Sequence, residues 1–502
     1  MIDAIITVTQ TAGTRFVGKT ILAAAIALLV CVSQAAAQDG DVVIKQYDDG
    51  SVYEGTFKDG RQDGSGTYTL PNGYVYEGQW VEGRIEGQGI ATYPNGSVYE
   101  GNFKDGKPQG KGKIAFGDGG TYEGDWTDGA MTGTGVARYA NGSVYTGEFK
   151  EGLHSGRGLF QEPSGYRYDG DWVDGRKEGM GKITYADGAT YDGAFKANQR
   201  QGEGTLNMPD GTFYTGAWSA GQINGTGTLT QPNGDVYQGS FKDGIRDGQG
   251  KTTYKNGDTY TGAFKADKRE GVGLFQARDG TSYQGSWKAG KMAGQGRLTY
   301  ADGSVYEGFF VDELPQGQGK ITYPDVSTYD GDWAKGGIEG RGRATYPGGL
   351  VYQGTFKSAK PEGMGVMTYP DGYRYEGAWK AGLRDGQGVA TYPDGTIYNG
   401  GFVAGLREGR GTMSEPGGFT YEGAWKAGEM EGAGLATYPS GDIYEGAFLK
   451  GKRHGPGKLT YKGGEVSEGI WENGILRAPL PGAEVPPTEP APAEGTAAPV
   501  SP

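Results

Sequence analysis

Tyr76-Glu77-Gly78-Gln79-Trp80-Val81-Glu82-Gly83-Arg84-Ile85-Glu86-Gly87-Gln88-Gly89-Ile90-Ala91-Thr92-Tyr93-Pro94-Asn95-Gly96-Ser97-Val98 is the stretch on which the fold turns. Counting Tyr76 as position 1, Tyr, Gly and Trp fall at positions 1, 3 and 5, a period of two. Gly87, Gly89, Ala91 and Tyr93 fall at 12, 14, 16 and 18, again a period of two. That period belongs to a strand, whose successive side chains point to opposite faces. A helical apolar stripe is absent, and Gly at this density defeats a helix. Gly83 supplies a turn between the two strands, and Asn95-Gly96 closes the unit with the dipeptide that most strongly signals a hairpin. The spacing predicts a β-hairpin with unlike faces. One face carries the rings and glycines. The other carries acidic residues at position 2 (Glu77, Asp169, Glu376) and Lys at position 6 (Lys58, Lys104, Lys150). Gly78, Gly87 and Gly89 are expected to leave room for flat rings lying over bare backbone.

The same 23 residues recur 18 times without insertion or deletion, from Tyr53 to Val466. A period of this length marks an array whose units have no core of their own. Position 18 is Tyr in most units. Where it is not aromatic (Leu70, Glu162, Met208, Gln231, Ala277, Glu415), position 16 is large: Tyr68, Phe160, Leu206, Leu229, Phe275, Met413. Bulk moves along one strand without leaving its face. All nine Trp stand at position 5, usually 46 residues apart: Trp80, Trp126, Trp172, Trp218, Trp287, Trp333, Trp379, Trp425 and Trp471. The one longer step, across Phe241 and Phe264, is either a seam near residues 241–287 between paired hairpins or a duplication scar without structural effect. Val42 to Gly50 reads as a second strand, and Ser467 to about Leu476 as a first strand; these half-units cap the array. The expected fold is all-β: an elongated single-layer antiparallel sheet of 38 strands, roughly 180 Å long at ~4.8 Å per strand, over residues 38–476. The Pro/Ala-rich tail, 477–502, reads as a disordered linker.

Y-x-G-x-[FW]-x-x-G-x-x-x-G-x-G-x-x-x-Y at this spacing, carried by Tyr76, Gly78, Trp80, Gly83, Gly87 and Gly89, resembles the MORN (membrane occupation and recognition nexus) repeat, here of an exported bacterial type. Departures are few: Asn198, Asp267, Glu313 and Ala359 replace the turn Gly, and Val326 replaces the Gly of the closing dipeptide. The resemblance implies one hairpin per unit, roles in protein scaffolding and self-association, and association with membrane lipid. In some members the repeats are joined to a lipid kinase or a lysine methyltransferase segment; no such segment accompanies them here.

Ahead of the array, Arg15 and Lys19 precede an apolar run, Ile21–Val32, and the small residues Ala35-Ala36-Ala37. This reads as a signal peptide over residues 1–37, with a retained anchor as the alternative. The expected location is therefore the periplasm or cell envelope of a bacterium, or the medium. Gly13-Thr14-Arg15-Phe16-Val17-Gly18-Lys19-Thr20 spells a phosphate-loop pattern, but nothing downstream supplies the parallel sheet that such a loop needs.

Composition narrows function further. Of 502 residues 100 are Gly, yet 12% are aromatic, which separates the chain from disordered Gly-rich sequences. Gly does not recur at every third position, so a collagen helix is excluded. The net charge of −13 disfavours nucleic acid and anionic lipid as partners. One cysteine (Cys31) and two histidines (His154, His454) exclude a disulfide framework and a Cys/His zinc site. No catalytic or metal-binding residue is nominated, and no cofactor is expected. His154 and His454 are read as polar turn residues. The candidate sites are the ring face (Tyr76, Trp80, Tyr99 and the other eight Trp) and the structural glycines Gly78, Gly87 and Gly89. The leading function is an exported, non-enzymatic scaffold that binds an unidentified protein or itself. The alternatives are lipid association through the position-6 lysines (Lys58, Lys104, Lys150, Lys196, Lys242, Lys288, Lys380, Lys426) and carbohydrate or cell-wall binding through the rings.

Overall fold

The computed structural model describes residues 41–479; the signal-peptide reading and nearly all of the expected tail lie outside them. Two compact units divide the chain, one ending at Ala140 and the other beginning at Asn141. The described part of the first holds nine strands and that of the second thirty, and within each unit successive strands pair antiparallel with their chain neighbours.

The first six strands, β1 (Val42–Gln46), β2 (Val52–Lys58), β3 (Arg61–Thr69), β4 (Val75–Val81), β5 (Arg84–Thr92) and β6 (Val98–Lys104), set the pattern for the rest. Each repeat makes a seven-residue strand and a nine-residue strand. The two extra residues are absorbed inside the hairpin. Tyr76 faces Ala91 and Gly78 faces Gly89, but Trp80 already faces Ile85, so Gln79 stands opposite a bulge over Glu86–Gln88. Between repeats the ladder is regular: Gly87, Gly89 and Ala91 of β5 face Phe103, Gly101 and Tyr99 of β6. The ladder inside each hairpin is thus bulged and the ladder between hairpins straight, and a bulge bends the strand that holds it.

Two kinds of connection alternate. Glu82 and Gly83, at φ 51° and 84°, form the two-residue turn whose twist matches that of the strands. The Asn-Gly dipeptide is not in that tight turn. It sits in the five-residue connection Tyr93–Ser97, closed by Tyr93 N to Ser97 O (2.8 Å) and Gly96 N to Tyr93 O (2.9 Å). Gly96 takes φ 81°, and the Asn95 carboxamide accepts the Ser97 N–H at 3.0 Å, an Asx turn that Asp also makes.

Two further expectations are corrected, and one pair of alternatives is decided. The last half-unit continues into a strand, Ile475–Pro479, past Leu476; Ile470 faces Ala478, so the strand count among the described residues is 39 rather than 38. The residue 241–287 region shows no seam: Tyr237 meets Phe241 and Phe264 at the same 5.0 Å, and the paired strands run through. His154 and His454 lie in strands, Leu153–Gln161 and Lys452–Thr460, not in turns.

Candidate binding surface

The ring face is an interior. The Tyr76 ring lies back along its own strand, and its hydroxyl donates to Gln79 O at 3.0 Å. A side chain on Gly78 or Gly89 would run into that ring; at Gly89 a Cβ would sit 2.5 Å from Tyr76 Cε2. Trp80 stands edge-on between Tyr53 and Tyr76, at 5.2 and 5.6 Å between centroids, and its Nε1 donates to Gly66 O at 3.3 Å. Phe103 takes the same place between Tyr76 and Tyr99. Such edge-to-face contacts give ~0.5–1.5 kcal/mol each beyond their area. They run as a ladder from repeat to repeat within each unit. Tyr76, Tyr99, Trp80, Trp126, Trp172, Trp218, Trp287, Trp333, Trp379, Trp425 and Trp471 are all at most 6% exposed. As a platform for sugar rings or a partner, the ladder of position-1 and position-5 rings is therefore closed; of the position-18 rings, Tyr139, Tyr369 and Tyr461 are 37–40% exposed. Burial pushes the position-1 tyrosines up, to about 12 for Tyr99, Tyr214 and Tyr421.

Gly87 departs from the expectation for the glycines. It lies in the bulge at φ 80°, and a Cβ there would strike the Gln79 side chain rather than a ring. The trade between positions 16 and 18 is visible as burial: Ala91, Ala137 and Ala344 are buried where position 18 is Tyr, while Tyr68, Phe160 and Met413 are half-buried where it is not.

Two roles escaped the sequence reading. Position 11 is a cap. Glu86 accepts the Asp105 N–H (3.1 Å), Gln109 that of Asp128 (3.0 Å) and Glu362 that of Ala381 (2.8 Å), each at the left-handed residue of the next turn. Position 10 covers the rings. Arg200, Arg269, Arg407 and Arg453 lie 4.0–4.3 Å over Trp218, Trp287, Trp425 and Trp471. His154 fills the same place, stacked on Tyr145 at 3.6 Å, and burial lowers its pKa to about 4. The recurrence of Asp, Glu or Gln at position 11 was the available signal for the cap. The stacking at position 10 had none, because Ile85, Pro108 and Met131 share that column.

What remains accessible is the opposite face. Positions 2 and 15 form one row across the strands and positions 4 and 13 another. Between Gln284 and Asp330 the rows wall a shallow groove of about 580 Å³, with Gly296, Gly308 and Gly319 as its floor. Arg297 and Glu307, both of the position-2 and position-15 row, pair along one of its walls at 3.0 Å. Among the described residues no cluster of His, Cys, Asp and Glu forms a metal site, and no helix is long and apolar enough to cross a membrane.

The family model described as MORN repeat matches the chain eighteen times, from residues 53–73 through 76–98 and 99–121 to 421–443 and 444–466. No curated protein sequence matches it. Among solved structures it is similar to the TCP10 domain of Danio rerio CPAP (15% identity over 45% of this chain and 94% of that one, TM-score 0.19). The TCP domain of Drosophila melanogaster SAS-4, solved with a proline-rich motif of Ana2, matches at 15% identity over 42% and 99%, TM-score 0.19. A virginiamycin B lyase from Staphylococcus aureus matches at 10% identity over 63% and 92%, TM-score 0.11. Likenesses at these TM-scores carry no functional argument.

Proposed function

We propose that this chain, which belongs to the MORN repeat family, is a non-enzymatic scaffold that acts outside the cytoplasm and offers its polar face and margins to protein partners. The observation behind this reading is the disposal of the rings. Apart from the half-buried Phe57, the position-1 and position-5 rings are buried, which leaves rows mainly of Glu, Asp, Gln, Thr, Lys and Arg, with Met180, Val272, Phe309 and Met364 exposed among them, as the surface a partner meets. Carbohydrate binding by ring stacking finds no exposed ladder ring to use. Lipid association has the position-6 lysines in its favour and the net charge of −13 against it. The location rests on the signal-like segment at residues 1–37.

Crosslinking with mass spectrometry in the native compartment tests the reading. Crosslinks are expected from side chains at positions 2, 4, 13 and 15 to another protein or to a second copy. A survey that recovers neither would overturn it. In flotation with anionic vesicles the chain is expected to stay unbound.

A further inference from the structure

In the unit that begins at Asn141, strands pair with their chain neighbours. All two-residue turns therefore lie along one margin and all five-residue connections along the other. The fourteen repeats from Tyr145 to Val466 give these margins opposite charge. Positions 6–9, at the turns, hold fifteen Lys and Arg against seven Asp and Glu; positions 18–22, in the connections, hold three against thirteen. Positions 10 and 11, beside the turns, add seven basic and eight acidic side chains and leave the contrast standing.

The connection margin is not neutralised from within, and the turn margin only in part, by Lys291 with Asp312 and Lys426 with Glu431. None of the thirteen acidic side chains in the connections joins an ion pair among the described residues. The position-20 aspartates hold their own turns, as Asp279 holds the Thr281 N–H at 2.8 Å and Asp394 the Thr396 N–H at 2.9 Å. On the turn margin, Lys265 faces Lys268, Lys288 faces Lys291 and Lys357 faces Lys360 as direct cross-strand partners, all exposed. Like charges so placed destabilise a hairpin. Of the six, Lys291 alone has an ion-pair partner among the described residues, Asp312 at 3.1 Å.

We propose that the occupant of these margins is a second copy of this chain, docked turn margin against connection margin. A polyanion or a lipid surface would match the lysines and leave the acidic margin unanswered; a second copy answers both. The contact joins unlike surfaces, so each added copy leaves one margin of each sign free, and copies add side by side rather than closing as a pair. The proposal rests on the scaffold reading and names its partner.

Sedimentation velocity of the full chain tests it. At about 10 mM salt, where charges act over ~30 Å, the sedimentation coefficient is expected to rise with concentration; at about 1 M salt, where the range is ~3 Å, it is expected to stay flat. Changing the six lysines (Lys265, Lys268, Lys288, Lys291, Lys357 and Lys360) to Glu should abolish the rise. So should Asp→Asn at the position-20 aspartates from Asp187 to Asp394, a change that keeps the turn because Asn233 and Asn256 make it already. Mixing the two variants should restore association, since the intact basic margin of one meets the intact acidic margin of the other; a folding defect in either would not be rescued in this way. Association that survives high salt or either variant overturns the proposal, as does a chain that stays monomeric at low salt. Loss of binding to anionic vesicles in the lysine variant, with no change in sedimentation, assigns the turn margin to lipid instead. A monomeric chain that still crosslinks to another protein sinks the margin pairing and leaves the scaffold standing; absence of both removes both.

Discussion

Val326 is the residue at which the repeat is most plainly strained. It stands at φ 63°, 79% exposed, where the neighbouring repeats place Gly303 and Gly349. The left-handed region costs a residue with a Cβ about 1–2 kcal/mol, and Gly returns some of the gain by loosening the unfolded chain. Val326→Gly is expected to stabilise by about 0.5–1 kcal/mol, read as a higher denaturant midpoint. His154 shows the converse case, a polar ring made to serve as packing. Its folded pKa of about 4 lies below the 6.5 of an ordinary histidine. The unfolded chain therefore binds more protons between these values. The stability His154 contributes is whole above pH 6.5 and is lost as pH falls through 4. In an NMR titration its ring protons should hold their neutral shifts to below pH 5; a midpoint near 6.5 would contradict the stacked placement.

At the scale of the strand pair, glycine and cap are the two constraints. Gly89→Ala would put a methyl 2.5 Å from the Tyr76 ring, which is itself held by Trp80 and Phe103. About 1–3 kcal/mol of destabilisation is expected, with hydrogen-exchange protection lost chiefly in the adjoining repeats, since each repeat is stabilised by its neighbours. Glu362→Ala would hand the exposed Ala381 N–H to water, at a cost of about 0.5–1.5 kcal/mol. Glu362→Gln should retain most of the stability, because Gln109, Gln201 and Gln316 make the same bond. Much of this pair was legible in the residues: the period of two, the shared face of Tyr76 and Trp80, the packing role of Gly78 and Gly89, and the turn at Gly83. The bulge was not. A period of two from Gly87 to Tyr93 fixes one strand but not its register against β4, and the slip at Gln79 depends on cross-strand bonding. The cap at Glu86 escaped for the same reason: its partner is 19 residues away, in the next hairpin.

At the scale of the whole molecule the rings act as one population. Burial raises position-1 tyrosines above their ordinary 10, to about 12 for Tyr99, Tyr214, Tyr283 and Tyr421. Their stabilising contribution is present in full below pH 10 and is lost as pH rises through about 12. Alkaline unfolding is therefore expected between those values, with tyrosinate absorbance at 295 nm appearing together with the loss of β-sheet dichroism rather than before it. The sequence pattern alone left open whether the ring face was a core or a platform, because the same alternation describes both. Side-chain placement separates them: Tyr rings folded back over Gly–Gly pairs and Trp or Phe wedged between them leave no ring of the ladder outward. Assigning recognition to the polar face and the margins depends on that closure. Acrylamide quenching of the nine tryptophans in the native chain, compared with the chain in denaturant, tests it most directly. Quenching several-fold weaker in the native state is the expected result. Native tryptophans quenched as readily as denatured ones would show an open ring face and contradict the account.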